Sequence, residues 1–132
     1  MISDTIQAHL KEADKHLQLA EQELNRPHED VMTLSACQSV RTSLRVLMQQ
    51  YLLVREVHSP DHMSLQDLLN LCVAHSPEFQ KVDLRDIACK GSEVGHENCD
   101  GRYCLSTESV SNCLKAAREL KKTIWSELQI ND

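Results

Sequence analysis

Three cysteines and a histidine stand close together in the stretch CKGSEVGHENCDGRYC, residues 89–104: Cys89, His96, Cys99 and Cys104. These are the donor types of a tetrahedral zinc site. Structural zinc sites usually carry two closely spaced ligand pairs, and here only Cys99 and Cys104 approach that spacing. The same stretch holds every glycine of the chain, Gly91, Gly95 and Gly101. Gly91 suits the left-handed position that ends a helix, and Asp100-Gly101 marks a turn before the next element. The expectation is therefore a metal-free connection of reduced thiols, with no metal and no cofactor. Cys37, Cys72 and Cys113 fall on apolar stripes and read as small core residues.

The basic residues form a second pattern. Arg41 and Arg45 stand four apart, and Lys115, Arg118 and Lys122 follow helical spacing further along. A few such cations suffice to hold a phosphate, although the same spacing also describes two solvated faces. No GxxxxGK[ST], GxGxxG, HExxH or GxSxG pattern occurs. A di-iron bundle needs repeated Glu-x-x-His pairs on its helices, and Glu12 on the first helix has Lys15 at the third position after it.

Five segments with helical periodicity must position these groups. Ile2, Ile6, Leu10, Ala13, Leu17, Ala20 and Leu24 step by threes and fours, a stripe that Ser3 or Asp4 caps and Arg26-Pro27 ends. A second stripe lies between Pro27 and Glu56: Val31, Leu34, Cys37, Val40, Leu44, Leu47, Tyr51 and Val54. Met48 and Leu52 widen it, which predicts a central helix with apolar surface to spare. Residues 58–63 form a turn, and Ser64 caps a short helix that buries Leu65, Leu68, Leu69 and Cys72. Ser76-Pro77-Glu78 reads as the start of another short helix ending near Lys90-Gly91. Ser106 or Thr107 opens the last long helix, with Val110, Cys113, Leu114, Ala117, Leu120, Ile124 and Leu128 on its buried face. No segment alternates with period two. The prediction is an all-α, up-and-down helical bundle of three long and two short helices, one domain over residues 1–132.

Composition narrows the function classes. The formal charge is −6, so no general basic field draws in nucleic acid. No apolar run approaches the roughly 18 residues of a membrane span. The charged amino terminus, MISDTIQAHLKEADKHL, lacks the apolar core of a signal peptide, so a cytoplasmic location is expected.

Residues 38–48, QSVRTSLRVLM, combine small residues, glutamine and spaced arginines. A turn follows, then His62-Met63-Ser64-Leu65 with Leu68 and Leu69, and Arg102-Tyr103 precede the last helix. In this order the segments resemble the second helix, the His-(Ser/Asp)-Leu-x-x-Leu-Leu start and the Arg-Tyr-Pro of the HEPN family, the higher eukaryotes and prokaryotes nucleotide-binding domains. Cys104 stands where that family often has proline, and Met63 separates His62 from Ser64. Many members are ribonucleases with an Arg-x(4–6)-His pair. Arg55 to His58 is too short for it, and no suitable histidine follows Arg41, Arg45, Arg102 or Arg118. The resemblance thus implies a non-catalytic helical module, a homodimer, partner to a minimal nucleotidyltransferase or binder of a nucleotide or another phosphate-bearing ligand. Arg41, Arg45, His62, Arg102 and Tyr103 are its implied ligand contacts. Two alternatives are a degenerate ribonuclease-like toxin, in which His62 would meet an arginine in space, and a thiolate metal-binding protein using residues 89–104.

Overall fold

The computed structural model describes residues 3–27, 33–84 and 107–130. Four α-helices appear there: α1 (Asp4–Leu24), α2 (Thr33–Val54), α3 (Leu65–His75) and α4 (Thr107–Leu128). A short 3-10 turn, Pro77–Lys81, follows α3, and no strand occurs among the described residues. The fold is an all-α helical bundle.

Capping sets where two of these helices begin. The Ser3 hydroxyl accepts from the Ile6 amide at 3.2 Å, and the Ser64 hydroxyl accepts from the Asp67 amide at 3.1 Å. Each satisfies one of the amides that a helix start leaves without a partner. Leu10, Ala13, Leu17 and Ala20 are buried along α1, so its apolar stripe is the face turned to the core. In α2 the buried set, including Cys37, Val40, Leu44, Leu47, Met48, Tyr51 and Leu52, covers more than one side. That breadth matches its position, since α2 packs against α1, α3 and α4. Small residues let α1 and α2 approach closely. Ser43 is fully buried and its hydroxyl donates to the Ala13 carbonyl of α1 at 2.8 Å.

Three expectations change. The second long helix was expected to begin at Pro27; Pro27 is not helical, residues 28–32 lie outside the described set, and α2 is seen from Thr33. Where the second short helix was expected, Pro77–Lys81 form a 3-10 turn, and the remainder expected up to Lys90-Gly91 lies outside the described residues from residue 85 on. Phe79, Val82 and Leu84 are buried while Asp83 is exposed. A 3-10 turn followed by extended chain meets that spacing of three and then two, and a continued α-helix does not. Finally, most of the apolar surface expected to be spare on the second helix is buried in the bundle, and Leu53 at its C-terminal end stays exposed. Among the described residues, the exposed large hydrophobics are Leu19 and Leu53.

Two helices end without glycine. Glu56 has φ 61° and Gln129 has φ 56°, both left-handed. The Val57 amide donates to Leu52 and the Glu56 amide to Leu53; the Ile130 amide donates to Trp125 and the Gln129 amide to Ser126. Both are Schellman endings, in which the half-buried Val57 and Ile130 fold back on the core.

Candidate functional site

The residues expected to hold a ligand divide into three groups. Arg102 and Tyr103, with Cys89, His96, Cys99 and Cys104, lie outside the described residues. Arg41 is only 3% exposed, so its guanidinium serves the interior of the bundle. Arg45 holds the turn that follows α2: its Nη1 donates to the Asp61 carbonyl at 3.0 Å and its Nη2 to the Met63 carbonyl at 2.6 Å. His62 sits exposed between those two carbonyls. The structure therefore brings Arg45 to the backbone on either side of His62.

Arg55 also needs a correction to its spacing. Six residues separate Arg55 from His62, which does meet the Arg-x(4–6)-His interval that the comparison with His58 passed over. Arg55 is occupied elsewhere. Its Nε donates to the Tyr51 hydroxyl at 3.4 Å, its Nη2 to the Glu127 carbonyl at 3.3 Å, and its guanidinium carbon lies 5.3 Å from the Tyr51 ring centroid. The Tyr51 hydroxyl in turn donates to Glu127 Oε1 at 3.1 Å, and its ring meets Phe79 edge-on at 4.7 Å. Burial, with Glu127 beside it, raises the Tyr51 pKa despite Arg55. This network ties the C-terminal ends of α2 and α4 together. No hydrogen bond or ion pair joins Arg55 to His62 among the described residues.

The three described cysteines, Cys37, Cys72 and Cys113, are buried. Burial pushes the Cys72 thiol up to about 12, which removes it as a nucleophile or thiolate ligand at neutral pH. No group of three or more His, Cys, Asp or Glu side chains is placed to hold a metal among the described residues. No helix there is long and apolar enough to cross a membrane.

A groove of about 420 Å³ opens between α1 and α4. Helix α1 contributes Asp14, Leu17 and Gln18; helix α4 contributes Arg118, Lys121, Lys122 and Trp125. Leu17 and Trp125 are 2% and 8% exposed, so they form an apolar floor at the edge of the core. The rim is charged. Lys121 Nζ lies 2.9 Å from Asp14 Oδ1 and 5.1 Å from the Trp125 ring centroid. Gln18 Nε2 donates to Asp14 Oδ2 at 3.0 Å, which fixes the other carboxylate oxygen. Arg118 pairs with Glu21 across the two helices. Lys122 is exposed and makes no ion pair among the described residues.

The groove collects three cations against the carboxylates of Asp14 and Glu21, a local excess of positive charge on a chain of net charge −6. A second depression of about 340 Å³ lies on the other side of Lys122, lined by Glu78, Lys81, Thr123, Ser126 and Glu127. Its lysine is already paired with Glu78 and Glu119. Two carboxylates on its lining make it a poor anion site. The helical spacing of Lys115, Arg118 and Lys122 was the signal for the first groove, but spacing alone did not show that α1 would supply the opposite wall. Compared with models of known families, with curated proteins and with solved structures, the chain matches none.

Proposed function

We propose that this protein is a small, non-catalytic helical binding module whose ligand carries phosphate and occupies the α1–α4 groove. One observation carries the reading: a concentration of cationic side chains over an apolar floor on an otherwise acidic chain. Pockets that bind small molecules pair an apolar lining with a few placed polar groups, at volumes of roughly 300–1,000 Å³. The resemblance to HEPN domains supports the same class of ligand. It adds two expectations to the proposal, a homodimer and a minimal nucleotidyltransferase as partner. It does not carry a nuclease reading, because Arg55 is engaged by Tyr51 and Glu127 rather than by His62.

Trp125 is the chain's one tryptophan, which makes the test direct. Its fluorescence, followed while inorganic phosphate or AMP is added, should change saturably. The double variant Arg118→Ala, Lys122→Ala should lose that response while keeping its helical circular dichroism. A flat titration with wild-type protein at millimolar ligand would refute the reading.

A further inference from the structure

We infer that the group recognised in this groove is a pyrophosphate-type anion, two or more linked phosphates, which enters by displacing Glu21 from Arg118. The inference rests on the reading of the groove as a phosphate site and specifies its ligand.

The cations of the groove are not equivalent. Lys121 is held between the Asp14 carboxylate and the Trp125 ring, and it is well shielded, so its charge is already committed. Arg118 and Lys122 remain, one helical turn apart on α4. At 1.5 Å per residue they are separated by about 6 Å along the axis. Lys115, exposed and three residues before Arg118, extends the row to about 10 Å. A linear anion with charge repeated along its length matches such a row, whereas a single phosphate meets one end of it.

Glu21 occupies the position such an anion would take at Arg118. Both side chains of that pair are about half exposed, 47% and 44%, so solvent screens their attraction and the pair contributes little. A phosphate offers the guanidinium a two-pronged, charge-assisted contact, which is stronger than an exposed carboxylate pair. With Glu21 in place, Arg118, Lys121 and Lys122 face two carboxylates. With Glu21 displaced they face Asp14 alone, and the excess positive charge rises from one to two. A diphosphate matches that charge, and the apolar floor of Leu17 and Trp125 remains for whatever the diphosphate is attached to.

Calorimetric titration of the intact chain with four probes separates the possibilities. Pyrophosphate and ADP should each bind at least tenfold more tightly than orthophosphate and AMP. Equal affinity for AMP and ADP would overturn the inference while leaving the phosphate-site reading intact, and no binding by any probe would sink both. ADP binding more tightly than pyrophosphate would assign the diphosphate to a nucleotide; equal affinities would assign it to a bare oligophosphate. Glu21→Gln should tighten pyrophosphate binding several-fold, because the internal competitor is gone. Unchanged or weaker binding in that variant, with unaltered helicity, would overturn the displacement.

Discussion

At the residue scale, burial decides what each polar or reactive group can do. Cys72 is a clear case. Its folded pKa of about 12 lies above the ordinary thiol value of 9.0 because the thiolate would be stripped of water. The contribution to stability is complete below pH 9, where the thiol is neutral in both states. It is lost as pH rises from 9 toward 12, because the unfolded chain then releases the proton and the folded chain resists. Denaturant melts should therefore show stability falling between pH 9 and pH 11, by up to about 3 kcal/mol from this group. Tyr51, also raised, adds to the loss in the same direction. Cys72→Ala should reduce the pH dependence, although it starts from a less stable protein because of the cavity. An identical slope in the variant would show that Cys72 takes no part.

Arginines were harder to read than cysteines at this scale. The apolar stripes placed Cys37, Cys72 and Cys113 in the core, where they are. Spacing of four put Arg41 and Arg45 near one face, but it could not say which face. A long side chain can run along apolar surface and satisfy carbonyls some distance from its own backbone. Arg45 does so at Asp61 and Met63, sixteen and eighteen residues away, and no local pattern announces that.

At the scale of elements, the helices themselves were legible and their endings were less so. Hydrophobic periodicity set α1, α3 and α4 closely, and serine caps set the starts of α1 and α3, because both are local properties of a helix. The Schellman endings after α2 and α4 escaped notice because no glycine marks them. Glu56 and Gln129 take left-handed backbone that costs a residue with a Cβ about 1 kcal/mol. The turn is kept because Val57 and Ile130 bury against the core and two helix carbonyls find donors. Glu56→Gly and Gln129→Gly should thus each stabilise the protein, by up to about 0.5 kcal/mol after the entropy of the more flexible unfolded chain is counted. For a chain of this length, that is a rise of up to roughly 2 °C in Tm. A fall in Tm for either variant would mean that its side chain contributes more than its backbone costs. The same reasoning explains the 3-10 turn at Pro77–Lys81. Pro77 and the serine cap are correct start signals, but a start does not fix length, and burial of Phe79, Val82 and Leu84 favours a tight turn and then extended chain.

For the whole molecule, charge and apolar surface act in opposite ways on association. The chain's net charge of −6 supplies no general basic field, and the cationic α1–α4 groove is a local exception to it. Among the described residues, the large hydrophobics left exposed are Leu19 and Leu53. Helix α2, from which spare surface was expected, packs against α1, α3 and α4. Leu19 lies near the C-terminal end of α1 and Leu53 near that of α2, which places them on different helices rather than in one stripe. Single exposed leucines are ordinary on protein surfaces, and a stable interface needs a contiguous patch. A homodimer, as the resemblance implies, would then need more contact surface than either leucine supplies alone. Leu53→Lys should consequently leave the sedimentation coefficient unchanged at high micromolar concentration and shift stability by no more than about 0.5 kcal/mol. Dissociation of a dimer into 15.0 kDa monomers on that one substitution would show instead that the exposed end of α2 is where two copies meet.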